Sequence, residues 1–287
     1  MGKSITNMLR AQILVEALPY IKRYVKKIIV VKYGGSAMID DTLKAAVMGD
    51  IVLLSLIGVK VVLVHGGGPE ITQMLSKVGK TTQFIDGLRV TDDETADIVQ
   101  MVLSGKINKN LVASIHNAGG RALGLCGIDG RMIEAEILRE ELGFVGKVKK
   151  IRPKPILDIL DNGYIPVIST IGSGEDGHSY NINADTAAAH IAGSLNAESF
   201  ISMTDTAGVL SNANDSDSLI PVLTIKEVET LKSQGIISGG MIPKVDCCLE
   251  ALEKGVQKVF IIDGRIPHAI LIETLTDEGI GTMFVRG

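Results

Sequence analysis

The chain has no tryptophan, and aromatic residues make up only 3% of its 287 positions. A core of that size must be built from Val, Ile, Leu, Ala and Met, and the apolar fraction of 46% is ample for it. This aliphatic bias suits a parallel sheet buried on both faces. Few aromatics also leave little to stack on bases. The formal net charge is −4, and no basic block extends beyond Lys22 to Lys27 and Lys147 to Lys154, which argues against nucleic-acid binding. Cysteine is equally scarce. Cys126, Cys247 and Cys248 are odd in number, two are adjacent, and no CxxC pair occurs. A disulfide framework and a thiolate metal site are thereby excluded. The three read as small buried hydrophobes in a reducing cytoplasm. No apolar run reaches the ~18 residues of a membrane span. The N-terminus is not a signal peptide, because Arg10, Glu16 and Lys22 interrupt it and no cleavage signature follows. A GxxxxGK[ST] phosphate loop is absent from the sequence.

What is present is alternation. Strand-like apolar runs at 28–32, 59–64, 122–126, 164–171, 200–204, 256–262 and 282–285 are separated by helical patterns. Those helices are expected at 41–56, 69–77, 92–104, 106–118, 155–162, 184–195, 224–234, 242–254 and 268–275. The order predicts an α/β chain, a three-layer αβα sandwich with a mainly parallel central sheet. Residues 82–90 read as irregular or a short hairpin, 132–151 as short β runs, and 212–217 as an exposed loop. At the N-terminus, Ile5, Met8, Leu9, Ile13, Ala17, Leu18 and Ile21 recur at helical spacing, with Pro19 expected to kink the helix. Such a helix packs either on its own domain or on another subunit.

Several glycine-bearing segments carry the chemistry. Lys32 ends the first strand and is followed by Tyr33, Gly34 and Gly35. Ligands bind at the carboxyl edge of an α/β sheet, and glycine backbones there let N–H groups approach an anion. A simple Gly turn with a solvated lysine is the alternative. Gly66, Gly67 and Gly68 lie between a strand and a helix opened by Pro69, where successive N–H groups favour an anion. Arg89, in GLRV, is either a surface residue or a bidentate clamp for a carboxylate. Asn181, Asn183 and Asp185 precede an Ala-rich helix. One of them suffices as a cap, and an acid among cationic ligands would orient lysines. Gly239, Gly240 and Met241 lead into a helix whose first turn carries Lys244, a cation opposed to the helix dipole unless an anion is bound. By contrast, Gly172 to Gly177 matches GxGxxG but opens no helix, which argues against a dinucleotide site.

Together VKYGGSAM (31–38), VHGGGPEI (64–71), GLRVT (87–91), NGYIPVIST (162–170), NINADTAA (181–188), TDTAGVL (204–210) and GGMIPKV (239–245) resemble the acetylglutamate kinases of the amino-acid kinase family. The similarity runs in order over about residues 26–287. It implies transfer of the ATP γ-phosphoryl to the side-chain carboxylate of N-acetyl-L-glutamate, a step of arginine biosynthesis, with Mg2+ held by the ATP phosphates. By the same resemblance Lys32 and Lys244 stabilise the transferring phosphoryl and Asp185 orients both. Gly67, Gly68, Arg89 and Asn181 hold the acceptor. Gly34, Gly35, Asp205, Gly208, Gly239, Gly240 and Met241 hold the nucleotide. The resemblance also implies an N-terminal oligomerisation helix (1–25), an acceptor-binding lobe (26–178) and an ATP-binding lobe (179–287). The N-terminal helix resembles the extension of arginine-inhibited hexameric members, assembled as trimers of dimers. His268, Glu278 and Gly281 then become candidate arginine contacts, and a PII-type signalling protein a possible partner. Ser199 departs from many relatives, which have Lys there. An aspartate or glutamate kinase, or a nucleotide-binding regulator on the same fold, are the competing readings.

Overall fold

The computed structural model describes residues 6–38, 40–212 and 215–287, apart from the side chain of Ser36. Met1 to Ile5, Ile39, Ala213 and Asn214 therefore lie outside the described residues, including the first turn expected for the N-terminal helix and part of the 212–217 loop.

An eight-stranded sheet forms the centre. Its spatial order is Val222–Thr224, Thr282–Val285, Lys258–Asp263, Ser199–Thr204, Ile28–Tyr33, Lys60–His65, Ile165–Ser169, Ala122–Cys126. Every neighbouring pair is parallel except Lys258–Asp263 with Thr282–Val285. The central strands are buried on both faces, as their continuous β-branched runs require. Ile29, Val31 and Tyr33 face one apolar cluster, with the helices Asp41–Leu56, Gly68–Lys77, Asn108–Asn117 and Ala269–Leu275. Val30 faces the other, with Lys154–Asp161, Ala184–Ser194, Ile225–Ser233 and Met241–Glu253. The three-layer αβα arrangement is thus the observed one.

Local chemistry sets the helix starts. Asp40 caps Asp41–Leu56 by accepting from the N–H groups of Thr42 and Leu43 at 2.8 and 2.9 Å. Thr224 and Glu227 form a reciprocal capping box. Pro19 does break the N-terminal helix, into Asn7–Glu16 and Leu18–Tyr24. The two helices expected over 92–104 and 106–118 are one continuous rod. Asp93–Gln100 passes through π-helical turns at Met101–Ile107 into Asn108–Asn117. Residues 84–89 form a two-stranded hairpin. The short β runs of 132–151 join Ile171–Ser173 and Ser179–Ile182 in a small closed barrel. The GxGxxG match is the turn of that hairpin, which is why it opens no helix.

Strand Ile28–Tyr33 lies between Lys60–His65 on one side and Ser199–Thr204 on the other. The chain leaves Ile28–Tyr33 towards Lys60–His65 and leaves Ser199–Thr204 the opposite way, towards Lys258–Asp263, so a crevice opens at the carboxyl ends of these strands. Lys32 is in register with Val64 and Ser202, which delivers it to that crevice.

Candidate active site

Lys32 is 7% exposed, and its Nζ lies 3.1 Å from Asp185 Oδ1. The Ser202 hydroxyl donates to the same oxygen at 3.0 Å. Asp185 is free for this because Asn183 takes the cap, accepting from the N–H groups of Asp185 and Thr186. Burial pushes the Asp185 carboxyl up, but the charges of Lys32 and Lys244 and the bonds from Lys32 and Ser202 outweigh it. The net position is below the usual carboxylate range. Asp185 therefore stays ionised between the two cations. Lys244 stands half-buried in the first turn of Met241–Glu253.

Beside this cluster the Gly66–Gly68 turn ends its strand without a side-chain cap, leaving first-turn N–H groups for a ligand. Gly67 is closely approached: a Cβ there would stand 2.1 Å from Ile107 Cδ1 and 2.8 Å from Leu103 Cδ2, so both side chains would have to shift. A cavity of about 180 Å³ opens there, lined by Gly67, Gly68, Arg89 and Asn181 among others. All four residues expected at the acceptor site are thus brought to one space.

Arg89 is 6% exposed. Its Nη1 donates to Thr82 Oγ1 at 3.0 Å, and its Nη2 to the Gly68 carbonyl and Thr72 Oγ1 at 3.0 and 2.9 Å. The guanidinium also lies over the Phe84 ring, 4.8 Å from its centroid. Among the described residues no carboxylate pairs with it. It is a buried cation held in place by neutral acceptors, and burial holds its pKa down. Such a charge is costly unless an anion completes it. The surface alternative for Arg89 is ruled out by its burial. No acidic side chain lines the cavity either.

The residues expected on the nucleotide side are more open. Gly34 is buried against Lys32, and a Cβ there would stand 2.9 Å from Nζ. Gly35 has φ +71°, and a Cβ would meet the Asp205 carboxylate at 2.5 Å, which places Asp205 beside the glycine loop. Gly208 packs bare backbone against Thr282. Gly239 has φ +54°, and nothing stands within 4 Å of a Cβ at Gly239 or Gly240. Met241 packs partly against the core. Among the described residues no group of His, Cys, Asp and Glu could hold a metal.

His268, beyond the carboxyl end of Lys258–Asp263, adopts φ 61° and its Nδ1 lies 2.6 Å from the fully buried Asp50. The Glu278 carbonyl accepts from Thr276, and the Gly281 N–H donates to Glu273. Tyr20, in the N-terminal helix pair, donates to Asp277. Ser199 is fully buried, in register with Ile29 and Lys258. Cys248 is buried and Cys126 and Cys247 half-buried, and burial pushes the Cys247 thiol up to about 11.

The sequence did not single out Ser202, Thr72 or Thr82. Ser202 becomes Lys32's neighbour only through the pairing of two strands far apart in sequence. Thr72 and Thr82 carry no local signal, because their role exists only through Arg89.

Known proteins resemble this chain over most of its length. Residues 27–263 match the model of the amino acid kinase family. An acetylglutamate kinase from Brachyspira hyodysenteriae is 55% identical, over 98% of this chain and 99% of its own. One from Syntrophomonas wolfei is 53% identical over the same shares. Among solved structures, the N-acetylglutamate synthase from Neisseria gonorrhoeae, complexed with coenzyme A and N-acetyl-glutamate, superposes with a TM-score of 0.84 at 25% identity. That match covers 96% of this chain, which spans 63% of the synthase's length. This chain therefore belongs to the amino acid kinase family and is a kinase similar along nearly its whole length to acetylglutamate kinases.

Proposed function

We propose that the protein transfers the γ-phosphoryl of MgATP to the side-chain carboxylate of N-acetyl-L-glutamate, yielding N-acetyl-L-glutamyl 5-phosphate in arginine biosynthesis. The observation that carries this reading is the buried Arg89, which has no carboxylate partner among the described residues and faces a small cavity. A carboxylate of the acceptor would supply the missing anion. The cavity's lack of acidic side chains bears on the amino group. A free α-ammonium would be buried there without a partner, whereas an acetylated nitrogen is neutral.

In the reaction, a carboxylate oxygen of the acceptor attacks the γ-phosphorus. The bond from that phosphorus to the β,γ-bridging oxygen breaks, and ADP leaves with the electron pair. The attacking carboxyl has a reference pKa of about 4.3 and is already ionised, so no general base is required. Lys32 and Lys244 neutralise charge spread over the transferring group, and Asp185 keeps both ammonium groups aligned. The N–H groups of Gly34, Gly35, Gly67 and Gly68 complete the cradle, with Asp205, Gly208 and the Gly239–Met241 turn on the nucleotide side. In this reading residues 26–178 form the acceptor lobe, to which the next strand adds Asn181, and 179–287 the ATP lobe.

Feedback inhibition by arginine belongs to the same proposal, at His268, Glu278 and Gly281. The N-terminal helices would dock in a neighbouring subunit to make a cytoplasmic hexamer. Two observations favour it. Met8, Leu14 and Val15 are 81%, 71% and 63% exposed, an apolar stripe without a partner in the described chain. The Tyr20–Asp277 bond links those helices to the C-terminal segment. A PII-type protein remains a further proposed partner.

The test is ADP release from MgATP with N-acetyl-L-glutamate, L-glutamate and L-aspartate in parallel, with and without arginine. Turnover with the acetylated acceptor alone supports the assignment. Equal turnover with aspartate or glutamate would assign a different kinase, and ATP binding without ADP release would point to a regulator.

A further inference from the structure

His65 is fully buried at the end of its strand, directly before the Gly66–Gly68 turn. Its Nδ1 lies 2.9 Å from the Gly66 carbonyl and its Nε2 3.2 Å from Asn108 Nδ2. The same Asn108 nitrogen approaches the carbonyls of Val167 and Leu125 at 2.9 and 3.2 Å. Carbonyls only accept, so the atom of Asn108 facing His65 is the amide nitrogen, whose two N–H groups are shared among three acceptors. The Gly66 carbonyl likewise can only accept, so the ring proton sits on Nδ1, where it is donated to Gly66, and the neutral ring turns an unprotonated Nε2 towards Asn108. Burial pushes the imidazole pKa down to about 4, so the ring is neutral at ordinary pH. Asn108 is the first residue after the π-helical turns.

The consequence lies in the next peptide. All described peptide bonds are trans. In a planar trans peptide the C=O of one residue and the N–H of the next point in opposite directions. Drawing the Gly66 carbonyl onto His65 therefore turns the Gly67 N–H away from it. Gly66 and Gly67 both line the cavity with Arg89, and among the described residues no acceptor takes the Gly67 N–H.

We propose that His65 is a positioning residue. By donating from Nδ1 to the Gly66 carbonyl it aims the Gly67 N–H at the anion in the cavity, while its unprotonated Nε2 faces Asn108. The inference rests on the cavity being the acceptor site.

Two substitutions separate the donor's place from the bulk of the ring. His65→Asn keeps an amide nitrogen near the Nδ1 position, and His65→Gln moves it to the Nε2 position. Both lose packing, so both should lower the melting temperature similarly. The expected result is kcat/KM for N-acetyl-L-glutamate within about threefold of wild type in His65→Asn, against a loss of about 10–100-fold in His65→Gln. Equal losses in the two variants, or none in either, would overturn the role. A wild type inactive on the acetylated acceptor would instead strike the proposed function, so the two failures are distinguishable. Independently of activity, 15N shifts of the wild-type His65 ring should show Nε2 unprotonated across about pH 5 to 8. A doubly protonated ring in that range would contradict the assignment.

Discussion

The two sides of the crevice are built differently. On the acceptor side, Arg89 is buried and its fork is fixed by Thr82, Thr72 and the Gly68 carbonyl. On the nucleotide side, Lys244 is half-buried and the Gly239–Gly240 turn before it stands in open space. One side presents a charge already in place, which favours selectivity because little is reorganised on binding. On the proposed reading, the other leaves room for a bulky triphosphate to enter and ADP to leave. In the proposed reaction Lys32 and Asp185 serve the transferring group rather than either binding side.

The largest effect should come from that middle pair. Lys32→Ala is expected to lower kcat by about 10²–10³-fold with little change in the acceptor KM. A wild-type turnover number would break the division. Arg89→Lys should do the opposite, raising the acceptor KM by about 10–100-fold while KM for ATP stays within about twofold, because a point charge cannot replace the fork. If both KM values rise together, the two sides are not separate.

Asp185 sharpens the comparison through pH. Its folded pKa lies below the unfolded one, so its stabilisation is present above the ordinary carboxylate range and is lost as pH falls through the folded value. Acid melts should show Asp185→Asn losing less stability between neutral and acid pH than wild type does. Identical acid limbs would deny the carboxylate this role.

Deleting residues 1–24 should leave ADP release near wild type yet shrink a hexamer to dimers by light scattering. An unaltered assembly would contradict the docking of the apolar stripe. The smallest effect is expected at Asp92, which caps its helix and does not line the cavity with Arg89. Burial is slight there, and bonds from Thr95 and Lys80 hold its pKa at about 2. Asp92→Ala should cost about 1 kcal/mol in denaturant melts, with kcat unchanged.

Much of the fold was legible because it rests on local patterns. The alternation of β-branched runs and helical spacing located the central sheet, and glycine clusters at strand ends marked its ligand edge. The motif residues Lys32, Asp185 and Arg89 lay inside those signals. Three features were not legible. The short edge strand Val222–Thr224 is too brief for a period-two pattern. The π-helical turns at Met101–Ile107 leave no compositional mark, so one rod read as two helices. The supports of the site, Ser202, Thr72, Thr82 and Asn108, come from strands and helices distant in sequence. Their roles follow from sheet register and packing, which a single sequence does not display.

The account's central claim is that Arg89 is a buried cation awaiting the acceptor's carboxylate. Calorimetric titration of N-acetyl-L-glutamate into the MgADP-loaded protein tests it most directly, in wild type and in Arg89→Met checked for folding by circular dichroism. The account predicts saturable binding in wild type and a loss of at least about tenfold in affinity for the folded variant. Equal affinity in the two proteins would contradict it.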